Sequence, residues 1–154
     1  MSQSLSKIWI HIIFSTRNRF PFLTEETSRY RLHRYLAATC SNLNCGYPIV
    51  GGATDPIHIL CAMPRTISLA KLIEELKKAS SKWFKSIASS YDITNKFYWQ
   101  RGYGAFSVSE SHVPQVRSYI KDQIQHHKKI TFKDEYRAFL RCYGISFDEK
   151  YLWD

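Results

Sequence analysis

The chain has 154 residues, of which 44% are hydrophobic, and it carries a formal net charge of +9. A chain of this length can bury a core without disulfides or a structural metal, so we expect a single domain over residues 1–154. No apolar run approaches the roughly 20 residues that span a bilayer, and the segment from Met1 to Lys7 is polar. These features argue against a membrane protein or a signal peptide and predict a cytoplasmic location.

The surplus of lysine and arginine indicates the kind of partner. A basic surface on a small domain attracts a polyanion and releases its counterions on binding, so nucleic acid is the expected partner. The four cysteines form no CxxC pair, and therefore predict neither a zinc knuckle nor a disulfide framework.

The first half of the chain predicts three strands and a helix. Ile8 to Ser15 is continuously apolar, which is typical of a central strand covered on both faces. Thr24 can cap a helix that runs to about Asn42. The runs Gly46 to Val50 and Ile57 to Met63 flank a glycine-rich turn and predict a hairpin.

The second half predicts a helix capped by Ser68, then a strand from Lys96 to Phe106 that is broken by Gly102 and Gly104. A helix begins near His112 or Val113 and runs to about His127, and a last helix covers Thr131 to Tyr143. The order predicts an α+β fold, a ferredoxin-like split βαβ antiparallel sheet with helices on one face, plus a C-terminal helix that carries a tyrosine.

That tyrosine, Tyr119, and Gln123 lie four residues apart and can reach the same point in space. Tyrosine has a pKa near 10, so as a nucleophile it needs a nearby base, charge or metal, and a glutamine oxygen suits a hard cation. The spacing fits equally well a partly buried tyrosine with a polar neighbour. His58 and His11 lie in predicted strands, where a hydrogen-bonded structural histidine is the ordinary interpretation.

Several segments together resemble the single-tyrosine HUH transposases of the insertion sequence 200/605 group. They occur in the right order over nearly the whole chain, and the most specific are GYGAFSVS and the Tyr-x-x-x-Gln helix that follows it. The segments are WIHIIFSTRNR (9–19), TDPIHIL (54–60), WQRGYGAFSVS (99–109), VRSYIKDQIQHH (116–127) and residues 132–153.

The resemblance implies a DNA transposase that cuts and rejoins single-stranded DNA. Tyr119 would be the nucleophile and would form a 5′-phosphotyrosine, while His58 and Gln123 would hold Mg²⁺ or Mn²⁺. It further implies a homodimer that shares its active sites between subunits and recognises DNA hairpins at element ends.

One position departs from the family pattern. The first of the two expected histidines falls on Pro56, whose side chain has no donor atom for a metal. Three interpretations remain open: Asp55 or His11 substitutes, water fills the position, or the protein is a catalytically degenerate protein that only binds single-stranded or hairpin DNA.

The DNA-binding surface is predicted from charge alone. The candidates for backbone contacts have ordinary solvated surface as their alternative, and they are Arg17, Arg19, Lys71, Lys78, Lys82 and Arg101. An RNA-binding ferredoxin-like domain is disfavoured because its Gly-Phe-rich signature is absent from the first and third predicted strands.

Overall fold

The computed structural model describes residues 2–87 and 97–154. Four strands form the sheet, and they are β1 (Ile8–Ser15), β2 (Gly46–Gly52), β3 (Pro56–Met63) and β4 (Gly104–Val108). The helices are α1 (Glu26–Asn42), α2 (Leu69–Ile87), α3 (Val113–Lys121), α4 (Gln123–His126) and α5 (Phe132–Cys142).

The sheet has the order β2-β3-β1-β4, and every neighbouring pair is antiparallel. This arrangement confirms the predicted α+β fold with a split βαβ pattern. β1 is a central strand between β3 and β4, as its continuous apolar sequence predicts, because both of its faces are covered.

One face of the sheet packs against α1 and α2. Side chains at alternate positions of β1 and β3, among them Phe14 and Ile59, are fully buried against this layer. The buried partners from the two helices are Leu32, Leu36, Leu72, Ile73 and Leu76.

The helices that follow β4 cover the second face of the sheet. Val113 and Ile120 of α3 pack on Trp9 and Leu60, while residues of α5 pack on Ile13. Because His11 and His58 share this face with Trp9, Ile13 and Leu60, the C-terminal helices are placed directly over both histidines.

Three predicted helix starts are confirmed, near Ser68, at Val113 and near Thr131, and the one at Thr24 is wrong. The Ser68 hydroxyl accepts from the Lys71 backbone N–H at 3.1 Å, and Thr131 accepts from the Asp134 N–H at 3.2 Å. Thr24 caps no helix, because its hydroxyl instead donates to the carbonyl of Pro21 in the preceding turn.

Two predicted boundaries in the second half also need correction. The predicted strand begins only at Gly104: before it, Trp99 forms an isolated bridge with Thr16, and Lys96 lies outside the described residues. The helix expected to reach His127 breaks at Asp122, and the break turns Gln123 into the interior, where it is 1% exposed. Over the described residues, each helix is too short or too polar to cross a membrane.

Candidate active site

Tyr119 lies near the end of α3, over the second face of the sheet. Its hydroxyl donates to Glu135 Oε2 and lies 3.3 Å from His126 Nε2. The phenol ring meets the His58 ring edge-on, with 5.8 Å between ring centroids. The tyrosine and the histidine that the sequence separates are therefore neighbours within one chain.

His58 lies in β3 and is fully buried. Its Nδ1 is 3.0 Å from Nε2 of His11 on the neighbouring strand, and its Nε2 is 3.0 Å from Glu135 Oε1. His11 thus contacts one ring nitrogen of His58 while the other faces the C-terminal helix.

Glu135 of α5 is the residue that the other polar side chains of the site contact, and it was not identified from the sequence. It is 2% exposed and lies 2.9 Å from His126 Nε2 and 3.6 Å from His127 Nε2, through Oε2. The available signal was its position, because α5 buries an apolar stripe of Phe132, Tyr136 and Leu140, and Glu135 lies on that same face.

Gln123 reaches the site through His127. Its Nε2 donates to the backbone carbonyl of Tyr119 at 3.2 Å, and its Oε1 is 2.9 Å from His127 Nε2. The amide fixes the turn between α3 and α4 and holds His127 beside Glu135, while its predicted role as a metal ligand stays a prediction.

The site favours an ionised carboxylate beside neutral rings. Burial lowers the pKa of His58, and burial together with the neighbouring His58 lowers the pKa of His11 to about 3. Burial opposes ionisation of Glu135, but its contacts with His127, His58 and Tyr119 outweigh burial and hold its pKa well below the usual range. Burial and the nearby Glu135 charge raise the pKa of Tyr119 far above its ordinary value.

The donor set suits a divalent cation. Ligand atoms of His58, His127 and Glu135 all lie within 4.8 Å of one another. His58 Nε2 and Glu135 Oε1 are close in space, yet their angles are not those of a hydrogen bond, and both are buried without a hydrogen-bond partner among the described residues. Imidazole and carboxylate ligands of this kind hold transition-metal ions such as Mn²⁺.

The two proposed substitutes for the missing histidine are placed differently. Asp55 accepts a hydrogen bond from Ser15 Oγ at 3.1 Å and lies outside the group of converging ligand atoms. His11 contacts His58 directly, but from the side of Nδ1, away from Glu135. Pro56 is buried at the start of β3, opposite Ser15 of β1.

The predicted DNA-binding residues do not form one surface. The three lysines of α2 lie on the helix that covers the opposite face of the sheet, and Lys71 pairs there with Glu74 and Glu75. Arg17 and Arg101 instead line a small groove of about 210 Å³ that also contains Asp154, and Arg19 is exposed nearby in the turn Arg17–Arg19.

A larger groove, which we call the basic groove, was not predicted. It has a volume of about 660 Å³ and runs between α1 and the α3–α4 turn. Its lining combines basic side chains with an apolar floor and consists of Thr27, Tyr30, Arg31, His33, Arg34, Val50, Gly51, Gly52, Ile120, Lys121 and Ile124. Tyr30 is 50% exposed, and the buried His33 Nε2 has no hydrogen-bond partner among the described residues.

A second opening leads directly to the candidate nucleophile. Its volume is about 360 Å³, at the lower end of the range for small-ligand sites, and Tyr119 and Glu135 are among its walls. The remaining lining is His126, Ile130, Ala138, Phe139, Cys142 and Tyr143.

A four-stranded antiparallel sheet with a tyrosine-bearing helix over a strand histidine is the arrangement expected of a tyrosine transposase. The family model described as Transposase IS200 like matches residues 4–123. The chain belongs to this family of transposases, the enzymes of DNA transposition in mobile elements.

One solved structure shares the fold. A protein from Deinococcus radiodurans R1 that is assigned as a transposase shares 21% sequence identity with this chain, with a TM-score of 0.61 over 80% of this chain and 98% of that one. A REP-associated tyrosine transposase bound to a REP hairpin shares 14% identity, with a TM-score of 0.46 over 80% of this chain and 70% of that one, which is too low to establish a common fold. No curated protein matches the sequence closely enough to count as a relative.

Proposed function

We propose that this protein cuts and rejoins single-stranded DNA, with Tyr119 as the nucleophile. The observation that carries the proposal is the meeting of the Tyr119 phenol with buried His58, from a separate element, at the edge of an opening of about 360 Å³. Both groups come from one chain, so this constellation forms without a second copy. The homodimer with shared active sites stays a prediction.

The strand-transfer step balances without an external energy source. The Tyr119 oxygen forms a bond to phosphorus as the bond from phosphorus to the 3′-oxygen breaks, which gives a 5′-phosphotyrosine and a 3′-hydroxyl. The phenolic hydroxyl is hydrogen-bonded to Glu135 Oε2 and lies beside His126 Nε2, and its proton passes to the leaving 3′-oxygen, so that the step balances. Attack by another 3′-hydroxyl reverses the step and joins a new strand.

Tyr119 needs activation because its pKa is raised by burial and by the Glu135 charge. Mg²⁺ or Mn²⁺ held by these residues would supply positive charge to polarise the scissile phosphate and to offset the charge of the carboxylate. His58 would bind it through Nε2, with His11 holding the other ring nitrogen. Gln123 orients His127 toward the same place.

The basic groove supplies a path for the DNA strand. Arg31, Arg34 and Lys121 can bind phosphates, and the exposed ring of Tyr30 can stack on an unpaired base. Lys121 belongs to α3, the helix that carries Tyr119, and its side chain projects from a different side of that helix into the basic groove, whereas the lysines of α2 lie across the sheet from the nucleophile. We therefore place the incoming strand in this groove.

Covalent adduct formation tests the proposal. Single-stranded hairpin DNA labelled at its 3′ end is incubated with the protein and Mn²⁺, then separated on a denaturing gel. A 5′-phosphotyrosine leaves the 3′ label on the protein, while a 5′ label stays on free DNA. Tyr119→Phe must abolish the adduct. Tyr143→Phe is the matched control, because Tyr143 lines the same opening but donates its hydroxyl to the Ser107 carbonyl.

The alternative function is a degenerate protein that binds single-stranded or hairpin DNA without cutting it. Pro56 favours this function, because a proline at this position removes one expected metal ligand. The phenol hydroxyl of Tyr119 is also already hydrogen-bonded to Glu135. A wild-type protein that binds hairpin DNA but forms no adduct, while Pro56→His forms one, would establish the degenerate function. An adduct that persists in Tyr119→Phe would refute the nucleophile assignment.

A further inference from the structure

Because the histidine expected at position 56 is missing, β3 supplies no second metal-binding side chain beside His58. Side chains alternate along β3, so a histidine at position 56 would share the face of His58, where Pro56 offers no donor atom. On that face, a ligand atom from a helix rather than from the strand, Glu135 Oε1, lies 3.0 Å from His58 Nε2.

We propose that Glu135 is the metal ligand that takes the place of the histidine missing at position 56. This inference rests on the proposed function, because it concerns the ion of the same site. The family match ends at residue 123, so it assigns no role to Glu135, which lies on α5 beyond the match.

The spacing of the two atoms suits shared coordination. Two neighbouring donors on an octahedral ion with bonds of about 2.1 Å are about 3.0 Å apart. His58 Nε2 and Glu135 Oε1 are 3.0 Å apart, and neither satisfies the other as a hydrogen-bond partner. Two buried ligand atoms at this separation, whose angles are not those of a hydrogen bond, are placed to bind a common cation.

The surrounding contacts support the same conclusion. A histidine that binds a metal usually donates its other ring N–H to a partner, and His11 Nε2 lies 3.0 Å from His58 Nδ1. The 2% exposed carboxylate brings a negative charge into the interior beside the fully buried ring of His58, and a bound cation would compensate that charge.

The two oxygens of Glu135 connect the ion to the nucleophile. Oε1 faces His58, whereas Oε2 accepts the hydrogen bond of Tyr119. A cation on Oε1 would draw negative charge away from Oε2 and so lessen the cost of forming a phenolate beside it.

Mn²⁺ binding in the absence of DNA tests the proposal. Free Mn²⁺ is measured by electron paramagnetic resonance during titration of the wild-type protein and of Glu135→Gln. We expect Glu135→Gln to weaken binding at least about tenfold. The matched control is Asp134→Asn, which removes a neighbouring carboxylate that is exposed and pairs with Arg137, and it should leave the affinity unchanged.

A rescue variant tests the replacement itself. Adding Pro56→His to Glu135→Gln should restore Mn²⁺ affinity, because a ring nitrogen returns to the strand position beside His58. Circular dichroism and thermal unfolding without metal establish that each variant is folded. If Glu135→Gln does not fold, Glu135→Asp replaces it, and the expected loss of affinity is the same in direction.

The outcomes separate this inference from the proposed function. Absence of Mn²⁺ binding by the wild type, or equal binding by folded Glu135→Gln, overturns the role of Glu135 even if Tyr119 forms adducts. Glu135-dependent Mn²⁺ binding without any Tyr119 adduct sustains the ligand assignment and overturns strand cleavage. A Tyr119→Phe protein should bind Mn²⁺ as the wild type does.

Discussion

The close packing of β2 against the tyrosine-bearing helix yields a quantitative prediction for Gly51→Ala. A Cβ at Gly51 would overlap the carbonyl oxygen of Ile120 and lie 2.7 Å from its Cγ2, whereas ordinary contact begins at 3.4 Å. Helix α3 must therefore retreat by roughly an ångström, since the obstructing oxygen belongs to its backbone.

The expected cost follows from two opposing terms. Overpacking costs about 1–3 kcal/mol, and replacing glycine returns about 0.4–1 kcal/mol by restricting the unfolded chain. We expect Gly51→Ala to lower the free energy of unfolding by about 1–2 kcal/mol. Because Tyr119 precedes Ile120, the displacement also reaches the nucleophile, and a misplacement of this size can lower the rate of cleavage about 100-fold.

Gly46→Ala is the matched control. Gly46 lies in the same strand, but its added Cβ would meet only the Ala62 Cβ at 3.4 Å. Urea unfolding gives the stabilities, and single-turnover adduct formation gives the rates. Equal stability of the two variants would refute the packing argument. A destabilised Gly51→Ala that cleaves at the wild-type rate would refute only the link from packing to the nucleophile.

Three further predictions concern acid sensitivity, helix capping and DNA binding. Burial, Arg29 and His58 lower the pKa of His33 from 6.5 to about 4. Between these values the unfolded chain binds a proton that folded His33 does not, so stability falls as pH falls, by about 2 kcal/mol at pH 5 for this group. Urea unfolding at pH 7.5 and 5 should show a smaller acid loss in His33→Gln; an equal loss would contradict this. Thr131→Ala removes the cap of α5 and should cost about 1 kcal/mol by thermal unfolding, whereas an unchanged midpoint would show that the cap is dispensable. Lys121→Gln should weaken single-stranded DNA binding and flatten its salt dependence more than Lys78→Gln does, and the reverse order would place the strand on α2.

Local patterns in the sequence determined most of the fold. The apolar run of β1, the hairpin around the glycine-rich turn, the cap at Ser68 and the helix start at Thr131 are read from neighbouring residues, and the structure confirms them. The errors are also local in origin. The Thr24 hydroxyl donates a hydrogen bond within the preceding turn and therefore does not cap the helix. The strand expected from Lys96 pairs regularly with β1 only from Gly104 onward.

The two predicted residues that meet, Tyr119 and His58, were identified by type and by resemblance to a family. Their proximity depends on the packing of α3 over the sheet, which no pattern along the chain specifies. The same holds for the DNA-binding candidates, because net charge indicates a polyanion but does not show which side of the sheet each lysine occupies.

Only the tertiary structure shows what Glu135 contacts. In the sequence it is one acid in a helix that also contains Asp134, and the two differ in burial and partners once α5 lies on the sheet. Periodicity specifies which face of a helix is apolar, since it depends on neighbours three and four residues away. The contact between a late helix and a middle strand depends on how those faces dock, and that docking places a carboxylate beside the histidine whose expected partner is a proline.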